Sequence, residues 1–143
     1  MNENELNVDE IWMRRAIQQA HMAIEAGDVP VGAVILHRNT IIGQAHNQVE
    51  CLKDPTAHAE MIAITQAASA LGDWRLLETV LYVTKEPCPM CAGAIGLARI
   101  PRVVFGAADP KNVGILNCPE IVRGVLQAEC RDLLQDFFKS LRK

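Results

Sequence analysis

At 143 residues, half of them apolar and 22% charged, the chain has the make-up of one globular domain and not of a disordered or fibrous protein. A chain of this size buries roughly 68–70% of the surface its unfolded form exposes, so a metal in it would serve chemistry and not merely folding. A net charge of -3 and a pI near 5.8 exclude the overall footprint of a general nucleic-acid binder, and any RNA contact must be local.

Residues 1–8 are polar and read as frayed, with Asp9 as the N-cap of a helix. On that helix Trp12, Ala16, Ile17, Ala20, Ala23 and Ile24 recur at helical spacing, and Gly27 ends it. Two runs rich in β-branched residues, 31–37 and 41–47, flank Arg38-Asn39-Thr40 and predict an antiparallel hairpin. Asp54-Pro55-Thr56 forms a turn and cap before a small-residue helix over 58–71 that Gly72 closes. A buried-type strand over 79–84, a helix over 89–99 and a strand over 102–106 predict a right-handed parallel crossover. Residues 107–119, with Pro110, Gly114 and Pro119, read as a loop, followed by a short strand at 120–123. Leu126, Cys130, Leu133, Leu134, Phe137, Phe138 and Leu141 mark a last amphipathic helix over 126–141, packed on the sheet.

With no linker, repeat or low-complexity tract, residues 1–143 read as a single domain. The longest apolar runs, 32–36 and 92–98, fall short of the ~20 residues that span a bilayer, so no membrane role is expected. Five cysteines, an odd number, with no secretory signal peptide and no Asn-x-Ser/Thr acceptor, predict a reducing, cytoplasmic setting. Lys139, Arg142 and Lys143 form a local basic patch, or equally a basic final turn that complements the helix dipole.

Two clusters carry the chemistry: His58-Ala59-Glu60 opening one helix, and Pro87-Cys88-Pro89-Met90-Cys91 at a strand-to-helix junction. Cys88 and Cys91, three apart at a helix start, place both sulfurs on one side, where unpaired backbone N–H groups favour thiolates. His58 and Glu60 are two apart and would diverge on a regular helix, so His58 is expected at the entry turn. One His and two Cys leave a tetrahedral zinc with an open position, which marks a catalytic and not a structural site. Glu60 is then a proton shuttle and not a ligand: water attacks the amine-bearing ring carbon, Glu60 protonates the ring nitrogen, and ammonia leaves. His-x-Glu with Pro-Cys-x-x-Cys matches an established signature of zinc nucleobase deaminases.

Bland readings compete with this one. Cys-x-x-Cys alone also suits a redox pair or a structural zinc knuckle, the latter with Cys51, Cys118 or Cys130 as fourth ligand. His21, His37 and His46 are assigned to no metal, the three other cysteines read as buried small residues or incidental thiols, and Trp12 and Trp74 as packing residues.

Beyond the metal motifs, the chain resembles the bacterial tRNA-specific adenosine deaminases over nearly its whole length. The resemblance runs through Val29-Pro30-Val31-Gly32-Ala33-Val34, Asp54-Pro55-Thr56-Ala57-His58-Ala59-Glu60, Leu81-Tyr82-Val83-Thr84, Glu86-Pro87-Cys88, Cys91-Ala92-Gly93-Ala94-Ile95 and Val103-Val104-Phe105-Gly106. It implies a cytidine-deaminase-like α/β fold, three layers α/β/α around a five-stranded mixed sheet, with one zinc per chain on His58, Cys88 and Cys91 and Glu60 catalytic. By the same likeness Asn47 contacts the base, Asp109 lies beside the target ribose, and Val31 and Ala57 join the substrate contacts. The implied reaction is adenosine to inosine at the wobble position of tRNA, the implied partners a tRNA anticodon stem-loop and a second copy of the chain. Phe137, Phe138 and the basic tail resemble the family's terminal helix, which touches the stem-loop; core packing is the competing reading for both rings.

The chain departs from the family at 112–119, which is shorter than the family's glycine-containing stretch and has Asn117-Cys118 where an Asn-His pair is usual. That loop bears on selectivity, so a guanine or cytosine free-base or nucleoside deaminase, an enzyme of single-stranded DNA, and a non-catalytic zinc-stabilised RNA-binding module stay open as alternatives.

Overall fold

In a computed structural model, which describes residues 2–112 and 116–142, helices and strands follow one another in the sequence α1 (Glu3–Glu25), β1 (Gly32–His37), β2 (Thr40–His46), α2 (Val49–Leu52), α3 (Ala59–Leu71), β3 (Thr79–Lys85), α4 (Pro89–Ala98), β4 (Arg102–Ala107), β5 (Glu120–Arg123) and α5 (Gln127–Leu141). The five strands form one sheet in the order β2-β1-β3-β4-β5. β1 pairs antiparallel with β2 and β3, whereas β3–β4 and β4–β5 are parallel, so the sheet is mixed as expected. The β1–β2 hairpin turns on Arg38 and Asn39, both left-handed at φ 49° and 65°, the two-residue geometry whose twist matches that of the strands.

Side chains alternate across the strands and bury the two faces separately. Ala33, Ile35, Leu81, Val83, Val103 and Phe105 pack with Ala59, Ala63 and Ala67 of α3 and Ile95 and Ala98 of α4. Val34, Leu36, Tyr82 and Val104 pack on the other face with Met13, Ala16 and Ile17 of α1 and Cys130 of α5. This is the α/β/α layering. At Gly32 the backbone of α1 comes so close that a Cβ would collide with the Ala16 carbonyl, so only glycine lets helix and sheet meet there.

The start of α1 differs from the expectation. Asn2, not Asp9, is the N-cap: its side-chain oxygen accepts from the Glu5 N–H at 2.9 Å, and residues 3–8 are helical. Asp9 lies inside the helix, buried, with Arg102 donating to both carboxylate oxygens at 2.9 and 2.8 Å and the Tyr82 hydroxyl donating at 2.8 Å. A long-range ion pair has taken the residue that local preference would use as a cap. Trp74 is a second correction. It is 55% exposed, with the Arg75 and Arg99 guanidinium carbons 4.6 and 5.8 Å from its ring centroid, so cations and not core cover it. Trp12 does pack, against the α1 face of the core. The loop expected at 107–119 is described on either side of 113–115; those three residues, and Lys143 of the basic tail, lie outside the described residues.

Candidate active site

The N-terminal ends of α3 and α4 meet at the C-terminal end of β3. His58 is the N-cap of α3 with extended backbone (φ -74°, ψ 151°), which places it at the entry turn as its spacing from Glu60 requires. Cys88 occupies the same position on α4 (φ -68°, ψ 170°), with Pro89 first in the helix and Cys91 one turn in. His58 Nδ1 is 3.5 Å from the Sγ of both Cys88 and Cys91. These donor atoms all lie within 4.8 Å of one another, and among the described residues no fourth His, Cys, Asp or Glu joins the group.

The donor set passes a test for zinc. Bond lengths of about 2.05 Å to nitrogen and 2.3 Å to sulfur at a tetrahedral angle put N and S roughly 3.6 Å apart, which is the separation found here. Burial pushes the His58 imidazole below its ordinary value, with Lys85 acting in the same direction and Asp28 against it, which favours the neutral form that a metal ligand requires. Burial, with the Glu60 carboxyl and Cys88 nearby, pushes the Cys91 thiol well above the ordinary range. The helix end alone does not make Cys91 a thiolate; a cation bound there would have to displace that proton.

Glu60 is 4% exposed and stands against Cys91. Burial raises its carboxyl, opposed by its own backbone N–H, Cys91 and Lys85, and so favours its holding a proton. It shares with His58 and Cys88 a pocket of about 510 Å³, of the size that admits small ligands. Asn47 and Val31 line the same pocket, as do Asp28, Val29, Lys85 and Glu86. The Asn47 side-chain oxygen accepts from the Ala59 N–H at 2.8 Å, capping α3 and leaving its NH₂ group as the donor it can offer a ligand. Ala57 is buried in the turn before His58, accepting from the Gln48 N–H at 2.9 Å, and does not itself line the pocket. Asp109 does not itself line the pocket but joins two residues that do: its N–H donates to Glu86 Oε1 at 3.0 Å and its carboxylate is 3.5 Å from Lys85 Nζ.

Phe137, Phe138 and Leu141 of α5 form the outer wall of the pocket, so neither ring is core. Lys139 and Arg142 border a separate hollow beside Phe138. Sequence reasoning missed Asp28, whose buried carboxylate accepts from the Val29 N–H at 3.0 Å and the Glu50 N–H at 2.8 Å, tying the chain before β1 to α2. It also passed over Lys85, although a lysine at the end of an otherwise apolar strand is a visible signal. Cys51 is exposed, and neither it nor Cys118 nor Cys130 comes into the metal group.

The model of the MafB19-like deaminase family matches residues 7–142. The tRNA-specific adenosine deaminase of Bacillus subtilis (strain 168) is 48% identical, over 94% of this chain and 91% of that one. A structure from biochemical and structural studies of A-to-I editing by tRNA:A34 deaminases at the wobble position superposes with a TM-score of 0.80 at 38% identity, covering 85% of this chain and 97% of that chain. Guanine deaminase from Bacillus subtilis superposes with a TM-score of 0.63 at 32% identity, over 100% of this chain and 78% of that one.

Proposed function

We infer what this chain does from the fact that it belongs to the bacterial tRNA-specific adenosine deaminase family, of cytidine-deaminase-like fold: it deaminates adenosine to inosine at the wobble position of tRNA. The observation that carries the reading is the three-donor group with a buried carboxyl beside it and an open pocket in front of it. His58, Cys88 and Cys91 would hold zinc, which supplies the Lewis acidity that makes water a nucleophile at neutral pH.

The residues of the chain divide the remaining work. Glu60 accepts the proton of the attacking water and delivers it to N1 of adenine as the C6–O bond forms. A second proton passes through the same carboxyl to N6, the C6–N6 bond breaks, and ammonia leaves. The Asn47 NH₂ orients the base, Val31 gives it an apolar surface, Asp109 steadies the Lys85–Glu86 edge near the ribose, and Ala57 sets the turn that delivers His58. Phe137 and Phe138 exclude water and offer rings to unstacked bases of the anticodon loop, which enter without opening a duplex. The reading brings with it a second copy of the chain as partner and a cytoplasmic setting, where tRNA is processed; no helix among the described residues is long and apolar enough to cross a membrane.

The deciding experiment incubates zinc-loaded protein with an anticodon stem-loop, single-stranded DNA, free guanine, cytosine and adenosine, and measures ammonia and product from each. Inosine in the stem-loop is expected. Turnover of guanine or cytosine with none on RNA would replace this reading by that of a base deaminase.

A further inference from the structure

The pocket is lined mainly by apolar side chains, and its charged groups are mostly acidic. Asp28, Glu50, Glu60 and Glu86 line it, and Lys85 is the one lysine or arginine among the described residues that do. An RNA loop entering this space carries a phosphate on each side of the nucleotide to be deaminated, and Glu50 and Glu86 without Lys85 would repel both.

Lys85 ends β3 in register with Leu81 and Val83, which point to the face covered by α3 and α4. Its ammonium therefore emerges where the two helix starts converge. It lies 3.5 Å from Asp109 Oδ2, with the two side chains 34% and 28% exposed, so the pair is neither sealed in nor fully screened by solvent. Asp109 is itself anchored, its N–H held by Glu86 and its Oδ1 accepting from the Lys111 N–H at 3.0 Å. A lysine is a point charge with three donors, so one partner does not exhaust it.

We propose that Lys85 is a positioning residue that receives a backbone phosphate flanking the target nucleotide, with Asp109 holding the ammonium at the pocket edge until RNA arrives. This rests on the RNA reading above. Lys139 and Arg142 border a different hollow and do not take this place. The consequence is a split in labour, in which the pocket recognises the base while Lys85 sets the register of the strand that carries it.

The test compares wild type, Lys85→Gln and Lys85→Arg, all zinc-loaded, on an anticodon stem-loop and on two versions in which the phosphate 5′ or 3′ of the target adenosine is an uncharged methylphosphonate. Binding is read by fluorescence anisotropy across a salt series, and deamination under single turnover. Lys85→Gln is expected to weaken stem-loop binding on the order of tenfold, as for a lost charge-assisted contact. Its salt slope should be shallower by about 0.7, the value of one phosphate on a single strand. Lys85→Arg should keep most of the affinity. One methylphosphonate should cost wild type about as much as Lys85→Gln does, and cost Lys85→Gln little more. Equal losses in wild type and Lys85→Gln from both modified loops, or an unchanged salt slope, would overturn the proposal while leaving the RNA reading intact. A wild type that neither binds nor deaminates the unmodified stem-loop would overturn both.

Discussion

Glu60 shows how much one side chain can do when its surroundings are arranged for it. Burial gives this carboxyl a raised affinity for a proton, opposed by its own backbone N–H, Cys91 and Lys85, which suits the proton-carrying role proposed for it. Replacing it by Gln preserves shape and hydrogen-bonding capacity but ends the proton traffic. Glu60→Gln should lower turnover by roughly 10²–10⁴-fold. Zinc content, measured by atomic emission, should not change, because Glu60 lies outside the donor group. Loss of the metal together with activity would show that Glu60 serves the site as a ligand and not as a proton carrier. Asn47 caps α3 through its amide oxygen, and in the proposed function its NH₂ group would orient the base. Asn47→Ala should lower unfolding free energy by about 1 kcal/mol, as a lost cap does, and also impair turnover. Asn47→Asp keeps the acceptor for Ala59 N–H and should recover the cap in urea titrations without restoring activity.

At the scale of elements, the Asp9–Arg102–Tyr82 cluster binds α1 to β3 and β4 across a separation no local rule sees. Burial and the hydrogen bond to Asp9 raise the Tyr82 phenol well above its ordinary 10.0, with Asp9 on α1 acting in that direction and Arg102 on β4 against it. A raised folded value means that the stability Tyr82 contributes is present below about pH 10 and is lost as pH climbs through the folded value. Tyr82 is the single tyrosine of the chain, so tyrosinate absorbance reads it alone. That absorbance should stay absent at pH 10.5 in the folded protein and appear together with unfolding. Asp9→Ala should cost about 1–3 kcal/mol, since it takes two hydrogen bonds from a largely covered guanidinium and leaves it the Glu120 carboxylate, 3.2 Å away. The same cluster marks where sequence reading stops. His58, Cys88 and Cys91 were legible because metal chemistry dictates residue type and spacing, and the strands because alternation and β-branching report two covered faces. Asp9 was misread because an acidic residue before an apolar helical run is indistinguishable from a cap until Arg102, 93 residues away, is brought beside it. α2 went unseen because its four residues, none of them buried, carry no periodicity.

For the molecule as a whole, the site depends on close contact between layers. Gly32→Ala would force α1 away from the sheet and should destabilise the protein by about 1–3 kcal/mol, as overpacking does, lowering the thermal midpoint by roughly 3–15 °C. α5 behaves as two halves. Cys130, Leu133 and Leu134 belong to the core, whereas Phe137, Phe138 and Leu141 reach beyond it to wall the pocket. Ending the chain after Asp136 should therefore leave the thermal midpoint within a few degrees while raising KM for the stem-loop, as measured by calorimetry and steady-state kinetics.

That division of α5 bears on how the protein can be handled and altered. Its distal turns are a replaceable rim on a settled body, so libraries confined to 137–141 could retune what is admitted without endangering the scaffold. Any cargo fused behind them would hang over the doorway, and a reporter or affinity handle attached there would obstruct the traffic it was meant to follow.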